Sequence, residues 1–273
     1  MINGGREITP ANRFGNQLIS LRQMQQNPGI NSMEISITNL SKRYSGNKFG
    51  LQDFNLELKN GVMGLIGPNG AGKSTLMRIL ATISKPTGGK VTLDGTDIVK
   101  FPDIVRKQLG YLPQDFGVYP NLTAMEFLGY MAAIKGFAGR GMKERIGALL
   151  EELNLTAVRN RPIGTYSGGM RQRIGIAQVL LGDPKFLILD EPTTGLDPEE
   201  QFRFRNLVAQ LSGERIILLS SHIVSDIETM AGNIAIVFNG RLLQQGPAPE
   251  KGTLEDTYLR IMAQAKNGGV HVQ

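Results

Sequence analysis

Gly61-Val-Met-Gly-Leu-Ile-Gly67-Pro-Asn-Gly-Ala-Gly72-Lys73-Ser74 decides the fold class of this chain. The first six residues are an apolar run of strand length. A glycine-rich turn follows, and Ser74 to Ala81 reads as a helix, closed by Lys85-Pro-Thr-Gly-Gly89. From Gly67 onward the stretch fits G-x-x-x-x-G-K-[ST] at every fixed position. Glycines let the backbone wrap so that successive N–H groups of Gly67, Asn69, Gly70, Ala71 and Gly72 converge on phosphate oxygens. The helix behind them adds the positive end of its dipole. Lys73 is placed to reach β- and γ-phosphates, Ser74 to offer a hydroxyl to Mg²⁺, and Thr75 to bond near the α-phosphate. A chance glycine turn rarely falls between a strand and a helix, so the motif predicts a nucleoside triphosphate site.

Outward from this cradle, Phe186-Leu-Ile-Leu-Asp190-Glu191 is an apolar strand ending in two carboxylates. A strand of this composition is buried in a parallel sheet, and its C-terminal end opens at the ligand edge. Asp190 can then hold Mg²⁺ through water, and Glu191, pointing elsewhere, can take a proton from attacking water. Further strands are expected at 34–40, 51–58, 91–93, 216–220 and 234–238. Helical pattern dominates from about Thr123 to Gly182, opening on the capping box Thr123-Ala-Met-Glu126. Strands alternating with helices indicate an α/β domain with a largely parallel central sheet.

Composition narrows the function classes. The chain has 273 residues, 41% hydrophobic and 20% charged, with a net charge of +6. It has no cysteine, which excludes disulfides, thiolate metal sites and a cysteine nucleophile. No apolar run approaches the roughly 18 residues needed to span a bilayer, and no signal-peptide pattern is read at the N-terminus. Residues 1–32, rich in Asn, Gln and Gly, are expected to be a poorly ordered extension. Residues 251–273 are expected to be a C-terminal tail, in which His271 is assigned no role.

Tyr166-Ser167-Gly168-Gly169-Met170-Arg171-Gln172-Arg173 is a serine with flexible glycines ahead of a helix, a second anion-binding pattern. It resembles the signature loop of ABC ATPases, usually written LSGGQ, with Tyr166 for Leu and Met170 for Gln. The resemblance covers Met33 to about Gly246. It implies a P-loop NTPase of ABC type over residues 33–250, with an antiparallel β subdomain and a helical subdomain inserted at about 116–182. By the same resemblance Gln114 senses Mg²⁺ and lytic water, and Asp197 sits in a loop across the dimer interface. His222 is the switch histidine that contacts the γ-phosphate. Tyr44 stacks on adenine, a role that nearby Phe49 could also serve.

Lys73 to Ser167 leaves no room for the long coiled coil of DNA-repair relatives. Phe116 to Leu128, the signature variant and Leu254 to Leu259 look like motor subunits of separately encoded export permeases. The resemblance therefore implies ATP and Mg²⁺ as ligands, and an integral-membrane permease and a second ATPase subunit as partners. It places the chain at the cytoplasmic face of the membrane. Nucleic acid is not an expected partner, since no basic-aromatic stripe occurs. The alternative is a soluble ABC ATPase acting on nucleic acid or ribosomes.

Overall fold

The computed structural model describes residues 33–137, 139 and 141–267. The chain divides into residues 1–32 and 33–273, so the expectation for 1–32 lies outside the described residues, as does His271. Two sheets carry the second unit. One is antiparallel, in the order β2 (Phe49–Leu58), β1 (Ile35–Arg43), β4 (Gly88–Leu93), β5 (Thr96–Asp97). The other has six strands, ordered β10 (Arg241–Pro247), β9 (Asn233–Phe238), β3 (Gly61–Ile66), β8 (Ile216–Ser221), β7 (Phe186–Asp190), β6 (Leu109–Leu112). All neighbours in it are parallel except β10, which returns antiparallel to β9.

Alternation along the central strands feeds two cores, because successive side chains face opposite sides of a sheet. Leu65, Ile188, Leu218 and Ala235 pack against the antiparallel sheet and helix α1 (Lys73–Leu80). Val62, Leu187, Leu189, Ile217 and Leu219 pack toward the opposite, helical layer. That layer contains α3 (Ala124–Ile134), α4 (Met142–Glu152) and α5 (Gly168–Leu180). The Thr123–Glu126 capping box closes in both directions, with Glu126 Oε2 accepting from Thr123 N at 2.8 Å. Tyr166 is 3% exposed and donates its hydroxyl to Val158 O at 2.7 Å, so the residue that departs from the signature pattern anchors the helical core.

The remaining helices are α2 (Pro102–Arg106), α6 (Pro198–Leu211), α7 (Val224–Met230) and α8 (Leu254–Lys266). The last corrects the expectation of a tail from residue 251. Leu254, Ile261 and Met262 fall on one face of α8 and are buried in the core. Amphipathic spacing, not length, docks it. Sheet register is what builds the site: Ile66 pairs with Ser221, and Asp190 with Ser220. The ends of β3, β7 and β8 therefore meet at one edge.

Candidate active site

The loop between β3 and α1 lines a cleft of about 590 Å³. Gly72 has φ +112°, a left-handed backbone that favours glycine, and a Cβ there would lie 2.5 Å from the Gly50 carbonyl. At Gly67 a Cβ would run into the Val237 carbonyl. The loop can be this close to β9 and β2 only because both positions lack side chains. Gly72 is also the N-cap of α1, so the first amides of that helix face the cleft uncapped by a side chain. Lys73, 6% exposed, donates from Nζ to Gly67 O at 2.6 Å and reaches Pro68 O at 3.4 Å. Burial lowers its pKa, and the carboxylates of Glu191 and Asp190 oppose that shift. A buried cation beside the uncapped amides of α1 suits a polyanion, whose charge the nearby carboxylates would oppose unless a metal ion offset them.

Opposite Lys73, β7 ends in the paired carboxylates. Asp190 Oδ1 accepts from Ser220 Oγ at 2.6 Å, and the same Oγ accepts from Glu191 N at 3.0 Å. Glu191 has φ +52°. That left-handed conformation is unfavourable for a side chain of this size, by about 1–3 kcal/mol, and persists where surroundings over-determine it. It turns Glu191 away from the line of β7 toward β8. There Oε2 lies 2.7 Å from His222 Nδ1 and 3.3 Å from His222 N. Beyond it, Thr193 Oγ1 donates to Asp226 Oδ2 at 2.6 Å, both residues buried. Gln172 Nε2, on α5, donates to Pro192 O at 2.8 Å.

Lys73, Ser74, Thr75, Gln114, Asp190 and Glu191 share the cleft with the whole stretch from Pro68 to Gly72. Tyr44 and Phe49 both stand at its mouth, 45% and 41% exposed. Tyr44 Oη lies 3.3 Å from Thr75 Oγ1. His222 joins through Glu191. Ser167, Gly168, Gly169 and Asp197 are not among the cleft's lining residues. Ser167 is exposed and caps α5, accepting from Met170 N at 3.2 Å. Asp197 caps α6, accepting from Glu200 N at 2.8 Å. The two caps are neighbours: Arg173 of α5 pairs with Glu200 of α6 at 3.0 Å, both largely shielded. Sequence reasoning missed Ser220, Thr193, Asp226 and Gln172. Their polarity at the borders of an apolar strand and a motif was the available signal.

Residues 51–194 match the family described as ABC transporter. The chain belongs to this family. It carries the family's ATP-binding, ATP-hydrolysing domain. The ABC transporter ATP-binding protein NatA of Bacillus subtilis is 35% identical over 218 residues, 78% of this chain and 89% of that one. The daunorubicin/doxorubicin resistance ATP-binding protein DrrA of Streptomyces peucetius is 36% identical over 83% of this chain and 69% of its own length. The probable multidrug ABC transporter ATP-binding protein YbhF of Escherichia coli is 38% identical over 80% of this chain, which spans only 38% of YbhF. Among solved structures, the ATP-binding subunit of an ABC transporter superposes with a TM-score of 0.74 at 27% identity, covering 84% of this chain and 99% of that one. A dimeric post-hydrolysis cassette bound to ADP and Pi gives 0.71 at 25% identity, over 79% and 99%.

Proposed function

We propose that this ABC ATPase is the motor of an exporter, working as a head-to-tail pair at the cytoplasmic face of the membrane through a separate permease. One observation carries the proposal. The cradle and hydrolytic carboxylates assemble within one chain, whereas Ser167 and its glycines lie on an exposed surface away from that cleft. A second subunit could bring its own Ser167 to this cleft, so each ATP would be held by Lys73 of one copy and the signature of the other. Attraction between the copies would come from γ-phosphate charge meeting oriented amides and a helix end.

Mg²⁺ fits the oxygen donors present: the Ser74 hydroxyl, Asp190 and Gln114 line the cleft together, a sparse set that leaves sites for water and phosphate oxygens. When bound, the ion neutralises charge on the β- and γ-phosphates. Lys73 and the loop amides orient the phosphates. Glu191, its carboxylate fixed against His222, accepts the proton of the attacking water. His222 positions that carboxylate and would contact the γ-phosphate from there. The helical layer near Gln114 and Tyr119 would transmit motion to the permease. No helix among the described residues is long and apolar enough to cross a membrane. The relatives named for drug resistance and multidrug transport support export.

The test is Glu191→Gln incubated with ATP and Mg²⁺ and sized by gel filtration. The expected result is an ATP-bound dimer that persists, where the parent returns to monomer. A mutant that stays monomeric, or turns over at the parental rate, overturns the mechanism. Pull-down from solubilised membranes identifies the permease.

A further inference from the structure

Ser220 is fully buried at the hydrolytic edge, as is Ser221 beside it, and is not itself one of the residues lining the cleft. Its one hydroxyl makes two bonds. It donates to Asp190 Oδ1 at 2.6 Å and accepts from the backbone N–H of Glu191 at 3.0 Å. Those two partners are consecutive residues with different assigned tasks, metal and proton. Glu191 is also the one with the left-handed backbone, φ +52°. Among the described residues, Ser220 is the one side-chain hydrogen-bond partner of Asp190. A buried serine in a strand often only satisfies its own hydroxyl, bonding to a nearby carbonyl. Here the bonds run across the sheet, from the register partner of Asp190, to the two groups whose placement the chemistry needs.

We propose that Ser220 is a positioning residue for hydrolysis: its hydroxyl aims the Asp190 carboxylate at the metal position and locks the turn that sends Glu191 toward His222. The inference rests on the roles proposed above for those carboxylates. Without the hydroxyl, Asp190, 4% exposed, keeps its charge but loses its orientation, and the Glu191 amide is left unpaired in a buried place. Both losses fall on turnover and metal use. ATP affinity, set by the cradle from Gly67 to Thr75, is untouched.

The experiment compares Ser220→Ala, Ser220→Cys and Glu191→Gln with the parent. For each, kcat and KM for ATP are measured over a series of Mg²⁺ concentrations, with thermal melting as a check on folding. Ser220→Ala is expected to lower kcat about ten- to hundredfold, the scale of a misplaced catalytic group. Its half-activating Mg²⁺ concentration should rise about tenfold or more, with KM for ATP unchanged. Ser220→Cys, similar in size and a weaker hydrogen-bonding group, should fall between the two. If Ser220→Ala does not fold, Ser220→Cys carries the test and must show the same kcat and Mg²⁺ signature. Parental kcat and Mg²⁺ response in the folded variant, or a rise in KM alone, overturns the inference. Glu191→Gln separates the two levels of argument. If it is slow while Ser220→Ala is parental, only the role of Ser220 fails. If Glu191→Gln is parental, the assignment of the base fails.

Discussion

The hydrolytic edge and the signature loop of this chain are built to opposite specifications. At the hydrolytic edge, Lys73, Asp190, Glu191, Thr193, Ser220, Ser221 and Asp226 account for all the buried polar and charged residues among those described. Each has a hydrogen-bond partner inside the chain. At the signature end, Ser167 and Gly168 are exposed, and Ser167 makes only the bond of a helix cap. Burying polar groups is costly unless they are paired, so a dense paired network marks where geometry is fixed within one molecule. An exposed cap with glycines beside it is what the proposed contact with a second subunit would use. The Arg173–Glu200 pair and the Gln172–Pro192 bond tie that exposed surface back to the edge.

Mutations can break this contrast one end at a time. The largest effect is expected from Glu191→Gln, which keeps size and removes the proton acceptor; turnover should fall about 10²- to 10⁴-fold in a steady-state ATPase assay. ATP binding should persist, since the cradle is unaltered. Lys73→Ala removes one charge-assisted contact to the phosphates and should cost about 10²- to 10³-fold in turnover. Circular dichroism should show an intact fold, because Lys73 contributes charge more than packing. A parental rate in that variant removes the cradle from the mechanism. Ser167→Arg addresses the other end. Sedimentation should show loss of ATP-driven dimerisation, while titration of the monomer finds ATP affinity unchanged. The reverse pattern, weak binding with normal dimerisation, would mean that the signature serves its own chain's nucleotide. The smallest change is Thr123→Ala, which removes the cap of α3 and touches neither the cradle nor the signature serine itself. It should lower stability by about 1 kcal/mol, a few degrees in melting temperature, with activity per folded molecule preserved.

Most of the fold was legible because its signals are local. The cradle joins a strand, a glycine turn and a helix within 14 residues, and β7 is an unbroken apolar run. The cap at Thr123 follows from two side chains three residues apart. β6 and β10 were not read. Leu109–Leu112 is short, and Arg241–Pro247 carries polar residues as befits an edge strand. α8 is harder to see in the sequence, because its apolar positions gain meaning once there is a surface to dock on. The same division holds at the site. Lys73, Asp190 and Glu191 stand in motifs, whereas Ser220 resembles the hydrophilic end of any strand. Its role exists only in the register between β7 and β8, a long-range fact no local pattern encodes. The left-handed turn at Glu191 is equally silent in sequence, since glycine or asparagine is the usual marker of such a backbone.

Strand order also sets a timetable for synthesis. β3 lies between β8 and β9, and both leave the ribosome some 150 or more residues after it, roughly 8–30 s at the usual 5–20 residues per second. Through that interval the apolar strand leading into the cradle has both edges bare, a template for unwanted pairing. One face gains cover early, because the antiparallel sheet and α1, whose residues precede Ile98, share the core that takes up Leu65. The face bearing Val62 and Ile66 must wait for the helical layer. The nucleotide cradle thus emerges well before the strands that enclose it, which makes β3 the segment where a chaperone would have most to protect.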